Sequence, residues 1–160
     1  MIRWQDLHHS ELTVPALYAL LKLRCEVFVV EQTCPYLDVD GDDLIGENRH
    51  LLGWKDDRLV AYARILVSED EIEPVVIGRV IVSAEARGER LGHQLMTRCV
   101  ASSLQRWPQR ALYLGAQAHL REFYAHLREF YAQFGFVTVT DVYDEDGIPH
   151  VGMAREAARA

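Results

Sequence analysis

The chain has 160 residues, enough for one domain with a sizeable core, and its 49% hydrophobic and 26% charged residues form an ordinary globular mixture. A formal net charge of −7 speaks against a nucleic-acid partner, because phosphate recognition wants a basic footprint; it suits a cationic substrate or plain solubility. No apolar run approaches a membrane span, and MIRWQDLHHS lacks a signal peptide's apolar stretch, so a cytoplasmic protein without membrane contact is expected.

Residues 2–7 (IRWQDL) can form a short strand. Between Val14 and Val30, Leu17, Leu20, Leu21, Leu23, Val27 and Phe28 recur with helical spacing, predicting a helix that starts near Thr13 or Pro15. The β-branched residues Val27, Val29 and Val30 blur its end. PYLDVDGDDLIGENR follows, rich in acids and turn formers. A calcium loop needs glycine at its sixth position and glutamate at its twelfth; counting from Asp38, glycine falls fourth and Arg49 twelfth. The segment therefore reads as a solvated loop whose carboxylates would favour an amine at a substrate entrance. Cys25, Cys34 and Cys99 show no CxxC spacing and leave one over, which reads as reduced thiols with no structural metal.

HLLGWK, the turn KDDR and LVAYARILVS predict a hairpin. After SEDEIE, PVVIGRVIVS is a further strand whose near-continuous apolar character predicts burial on both faces. Arg79 inside it needs a partner or an exit to solvent. Residues 88–106 show helical spacing through Leu91, Leu95, Met96, Cys99 and Leu104, with Pro108 just beyond. ALYLGAQA is the fifth strand, residues 119–132 are helical, and FVTVTDVYDEDGIPHVGMAR closes the chain as a hairpin turning at Asp146-Gly147. The order predicts an α/β domain over 1–160, a mixed sheet with helices on both faces.

Residues 119–132 read HLREFYAHLREFYA, one seven-residue unit written twice. Two heptads are too few for a coiled coil. The unit pairs Leu120 with Leu127, Phe123 with Phe130 and Tyr124 with Tyr131, each pair about 20° out of phase on a helix. The duplication thus adds roughly 10 Å of length while keeping one apolar face.

The junction VIGRVIVSAEARGERLGHQLM carries the strongest chemistry. A buried strand gives way to a helix whose first turn contains ARGERLG. Such a start offers free backbone N–H groups and the positive end of the helix dipole. Gly88 and Gly92 allow close backbone approach, and Arg87 and Arg90 add positive charge toward a phosphate. The alternative is a plain helix N-terminus with glycines that ease packing and solvated arginines.

RGERLG after a buried strand resembles the acetyl-CoA loop Q/R-x-x-G-x-G/A of the GCN5-related N-acetyltransferases, with Arg90 in place of the middle glycine. FYAQFGF resembles that family's FYxxxGF ending, and LRCEVFVVEQTCPYLDVDGDD with NRHLLGW is similar to its ElaA-like small bacterial subgroup. The resemblance implies a mostly antiparallel mixed sheet whose fourth and fifth strands splay apart at a bulge. It implies acetyl-CoA as co-substrate, with Val80, Ile81 and Val82 along the pantetheine arm and Arg87, Gly88, Glu89, Arg90, Leu91 and Gly92 around the pyrophosphate. The acceptor would be an amine on a small molecule or a protein, and the oligomeric state is open, a homodimer included.

Direct attack on a thioester needs no metal. It needs a neutral amine, stabilisation of the developing oxyanion and a proton for the leaving thiolate. The family's tyrosine for that proton matches Tyr131 when counted back from FGF. Counted forward from the fifth strand, the position falls on Tyr124, and a strand-to-helix turn at the cofactor cleft favours Tyr124. Either tyrosine can instead simply pack. Glu31, Asp40 and His50 are candidates for the base; His93 and Cys99 read as packing or surface residues, and Cys34 has no partner histidine that would make it a nucleophile. A non-catalytic acyl-CoA-binding or protein-interaction module on the same fold, and a purely structural α/β protein, are the competing readings.

Overall fold

The Thr13 hydroxyl accepts a hydrogen bond from the Ala16 N–H at 3.1 Å and, with Pro15 in the first turn, starts helix α1, Val14–Arg24. The structure, a computed structural model, describes residues 1–33, 36–117, 121–145 and 148–157, and the side chains among them except those of 117 and 121–126. α1 runs on into a π-helical stretch, Cys25–Glu31, so the predicted helix extends as far as expected but is wound more widely over its β-branched end. Two further helices are α2, Leu91–Arg106, and α3, Arg121–Ala132.

The strands are β1 (Arg3–His8), β2 (Arg49–Lys55), β3 (Arg58–Leu66), β4 (Val75–Val82), β5 (Leu112–Gln117), β6 (Val137–Thr138), β7 (Tyr143–Glu145) and β8 (Ile148–Arg155). They lie in one sheet in the order β1-β2-β3-β4-β5-β8-β6, with β7 also on β8. Every pairing is antiparallel except β4 with β5. The predicted closing hairpin is thus three strands: β6 pairs with Met153 and Ala154 of β8, and β7 with residues 148–150. Its expected turn at Asp146-Gly147 lies outside the described residues.

Helices cover both faces. On one, Ala16, Leu20, Leu23, Val27 and Phe28 pack on Leu52, Tyr62 and Ile81. On the other, Leu95, Met96 and Cys99 of α2 and Tyr131 of α3 pack on Leu51, Ala63, Ile77 and Leu114. Strand alternation alone would put Ile77 and Ile81 on the same face. They face opposite ways because β4 holds one extra residue: Arg64 pairs with Gly78 but Tyr62 with Ile81, so three steps on β4 match two on β3. Val80 accordingly packs with the α2 face.

The expectation that β4 is buried on both faces fails at this bulge. Val75, Ile77 and Ile81 are buried, but Val76, Gly78, Arg79 and Val80 are only half-buried. The acidic loop departs from expectation as well. It is not solvated at its key positions, since Asp38 and Asp43 are each 5% exposed. Their charges are neutralised by arginines brought from three elements.

Candidate functional site

β4 and β5 are paired only at Val75–Leu112 and Val76–Tyr113. Beyond those two pairs the bulge turns β4 away and the strands splay. A cavity of about 390 Å³ opens between them, lined by Gly78, Arg79 and Val80 of β4, Gly115 and Ala116 of β5, and Leu127 and Tyr131 of α3. The edge of β4 that faces β5 therefore presents backbone N–H and C=O groups to this cavity rather than to a strand.

Arg79 makes the bulge. Its φ of +50° lies in the left-handed region, which costs a non-glycine residue roughly 1–2 kcal/mol. Nε donates to Asp38 Oδ1 at 2.9 Å and Nη2 to the Asp38 carbonyl at 3.2 Å. The guanidinium also lies over the Tyr36 ring, 5.0 Å from its centre. The partner that a mid-strand arginine requires is thus the acidic loop.

The same loop holds two more arginines. Fully buried Arg24 donates to Asp38 Oδ2 at 2.9 Å and to Asp43 Oδ1 at 2.5 Å. Arg64 donates to Asp40 through both terminal nitrogens, at 2.9 and 3.0 Å, and to Asp43 at 3.2 Å. Beside them His50 is fully buried: its Nε2 lies 2.8 Å from the Asp43 carbonyl and its Nδ1 2.6 Å from the Tyr62 hydroxyl. A carbonyl only accepts, so Nε2 carries the hydrogen and Nδ1 accepts from Tyr62. Burial, with Arg24 and Arg64 nearby, holds the imidazole below its ordinary pKa against the pull of Asp43.

The glycine loop forms a second concavity, a groove of about 390 Å³ lined by Val82, Arg87, Gly88, Arg90, Leu91, Gly92, His93, Phe130 and Gln133. The helix starts later than predicted, at Leu91, after a 3₁₀ turn at Ala84–Ala86 and the extended residue Arg87. Gly88 has φ +95°, and Arg90, the N-cap, has φ +58°. Arg90 thus adopts the backbone that the resemblance would give to a glycine. The N–H groups of Leu91, Gly92 and His93 open α2 and have no intrahelical acceptor. A Cβ on Gly92 would touch Phe130 at 3.6 Å and Val82 at 3.8 Å, so a larger side chain there would fill the groove. Backbone donors, a dipole end and arginine charge suit a phosphate-bearing ligand. Arg87 itself is engaged, donating to both Glu31 oxygens at 2.5 and 2.8 Å and to the Val82 carbonyl at 3.1 Å. Glu89 faces Lys55 at 3.4 Å. Ile81 turns away from groove and cavity, into the core beneath α1.

Cavity and groove are joined by two elements. β4 gives Val80 to the cavity and Val82 to the groove; α3 gives Tyr131 to the cavity and Phe130 to the groove. Those two rings meet edge to face with centres 5.2 Å apart. The end of α3 is pinned by the core: Phe136 is 1% exposed, Gly135 takes φ +88°, and the Phe134 N–H bonds the Tyr131 carbonyl at 3.0 Å. Tyr131 is 8% exposed, and burial, followed by the neighbouring Cys99, pushes its hydroxyl up to about 12. It is a protonated donor at neutral pH. Tyr124 lies in α3, but its side chain is outside the described residues, as are Cys34 and the start of the repeat at His119 and Leu120. His93 packs beside Phe134 and Cys99 is buried in the core.

The three base candidates named from sequence are all engaged. The hydrogen bonds from Arg87 hold Glu31 below its ordinary pKa against the opposing effect of burial, and the charge of Arg87 adds to the hold. Burial raises Asp40, but Arg64, the Asp42 N–H and Arg79 together outweigh it and keep the carboxyl low. His50 uses both ring nitrogens. Sequence reading missed a fourth group: Tyr113, Tyr143, Glu145 and His150 all line the cavity. No local motif marks them; the β5–β8 and β7–β8 registers bring them together. Among the described residues no cluster of His, Cys, Asp or Glu is arranged to hold a metal ion.

The family model described as "Acetyltransferase (GNAT) domain" matches residues 39–157. Protein ElaA of Escherichia coli K12 is 64% identical over 160 residues, with all of each chain covered. The crystal structure of Escherichia coli ElaA superposes with a TM-score of 0.88 at 65% identity, covering 98% of this chain and 100% of that one. An acyl-CoA N-acyltransferase from Pseudomonas aeruginosa gives 0.87 at 50% identity, covering 97% and 99%. The splayed fourth and fifth strands, the bulge and the glycine loop before α2 agree with that likeness, and the chain belongs to the GNAT acetyltransferase family.

Proposed function

We propose that this protein is an acetyl-CoA-dependent N-acetyltransferase acting on a primary amine by direct attack. One observation carries the reading: the β4–β5 splay and the glycine loop form adjoining concavities, and α3 places a protonated tyrosine in the first beside an aromatic wall of the second. Bound acetyl-CoA would supply an activated acyl carbon and a thiolate leaving group.

The chain's own residues do the rest. Backbone N–H groups of Arg87, Gly88, Glu89, Arg90, Leu91 and Gly92 hold the pyrophosphate. The open edge of β4 at Val80 and Val82 bonds the pantetheine amides through its backbone, with Ile81 between them paired to Tyr62 of β3, while Val80, Val82 and Phe130 exclude water alongside. Tyr131 returns a proton to sulfur, and the carboxylates of Asp42 and Glu145 in the cavity wall favour a cationic acceptor, a small amine or a lysine-like group. The forward count from β5 keeps Tyr124 as the rival donor, and substitution separates the two.

The experiment is a thiol-release assay with acetyl-CoA and a broad amine panel. Acetylation by the wild-type protein, lost when both Tyr124 and Tyr131 are changed to Phe, supports the transferase. Acetyl-CoA binding without acetylation of any amine would point to a non-catalytic acyl-CoA-binding module.

A further inference from the structure

We propose that His150 is the general base of this site, taking a proton from the acceptor's ammonium group through Nε2; the inference rests on the transferase reading above. His150 Nδ1 lies 2.7 Å from the Ile148 carbonyl. A carbonyl oxygen only accepts, so Nδ1 carries the hydrogen and the ring's lone pair sits on Nε2. The ring is held in place: its side chain is 12% exposed and stacks on Tyr143, centres 6.1 Å apart and planes 27° apart. Gly115 on the neighbouring strand makes the room. A Cβ there would come within 3.0 Å of the Tyr143 hydroxyl and 3.7 Å of His150 Cδ2.

Nε2 lies 3.6 Å from Glu145 Oε2, and Glu145 is 56% exposed. That carboxylate stabilises the imidazolium once formed and offers the proton a route to solvent. Among the described residues, the charged or titratable groups in contact with the ring are Tyr143 and Glu145 of β7, with Tyr113 of β5 bonded to Tyr143 at 3.3 Å. His150 and Tyr131 line the same cavity, so a base and an acid face one space. Glu31, Asp40 and His50 lack this arrangement, each being held by arginine or by two hydrogen bonds.

The step balances. Nε2 removes one proton from R–NH₃⁺, and the freed lone pair attacks the acyl carbon. The C–N bond forms as the C–S bond breaks, with its electron pair leaving on sulfur. Sulfur takes a proton from the Tyr131 hydroxyl, and the nitrogen's second proton returns to the tyrosine oxygen and restores it. The products are the amide, the free thiol and one proton released through Glu145.

The test uses acetyl-CoA with a panel of primary alkylamines, which are ammonium ions at neutral pH, and arylamines, which are already neutral. For His150→Gln, kcat/KM with alkylamines should fall on the order of 100-fold, while arylamines change little. Added imidazole should restore part of the alkylamine rate in His150→Ala. Independently of turnover, ¹⁵N NMR of the wild-type imidazole, assigned by its loss in His150→Gln, should show the Nδ1–H tautomer. Equal losses with both amine classes, or an Nε2–H tautomer, would overturn the assignment. Absence of thiol release by the wild type with every amine would remove the transferase reading and this inference with it.

Discussion

Arg79 Nε donates to Asp38 Oδ1 at 2.9 Å, so the residue that creates the β4 bulge is tied to the acidic loop, whose Asp40 and Asp42 line the same cavity. Asp38 uses its other oxygen to hold Arg24, which is fully buried. One carboxylate thus couples the strand that opens the cleft to the helix that covers the opposite face. Removing it leaves buried Arg24 with Asp43 as its remaining carboxylate partner and takes the 2.9 Å partner from Arg79. Asp38→Ala should cost about 3–5 kcal/mol of stability, read as a lower urea midpoint. A change within 1 kcal/mol would mean that Asp43 alone satisfies Arg24.

Arg90 sits at φ +58° where the family's loop has a glycine. If the loop works through its backbone, the arginine side chain is dispensable. Arg90→Gly removes left-handed strain of roughly 1–2 kcal/mol and adds unfolded-state entropy of about 0.5–1 kcal/mol. A small net gain in Tm is expected, with acetyl-CoA affinity kept within a few-fold. A loss of affinity on the order of tenfold would assign the phosphate contact to the guanidinium instead.

The repeat poses a choice between two tyrosines. Tyr131 lines the cavity, and the helix end that carries it is anchored by Phe136. Tyr131→Phe should lower kcat on the order of 100-fold with little change in acetyl-CoA binding. Tyr124→Phe should leave kcat near wild type. The reverse pattern would show that the helix start, rather than its end, sets the position of the acid.

His50 predicts a pH effect on stability. Its folded pKa is depressed below the 6.5 of an ordinary imidazole, chiefly by burial. The unfolded chain therefore binds a proton more readily than the folded one. The stabilisation is complete above the unfolded value and is lost as pH falls from about 6.5 toward the folded pKa. Urea midpoints should decline over that window, and His50→Gln should flatten the decline. An unchanged slope in the variant would place the sensitive group elsewhere.

Much of this fold was legible in sequence because local patterning carries it. Thr13 and Pro15 announced α1, and the apolar spacing from Leu91 to Leu104 announced α2. The glycine loop and FYAQFGF pointed to the segments that line the groove and the cavity. What could not be read depends on long-range register. The exact chemistry of Arg79 needed Asp38, 41 residues away in the chain. The aspartates of the acidic loop read as solvated because their arginine partners come from α1, β3 and β4, none of them adjacent in sequence. β4 read as doubly buried because a bulge leaves no compositional trace: VVIGRVIV alternates no differently whether or not one residue is extra. His150 escaped notice for the same reason, since only the pairing of β8 with β5 and β7 brings it to the cavity.

The central claim is that the glycine loop and the splayed strands bind acetyl-CoA. It is tested most directly by titrating acetyl-CoA into folded wild-type protein and into Gly92→Val by isothermal calorimetry. A valine at position 92 would fill the groove between Phe130 and Val82. The structure predicts one-to-one binding by the wild type and a loss of affinity on the order of tenfold or more in a variant that remains folded. No binding to the folded wild-type protein, or equal binding by both, would contradict it.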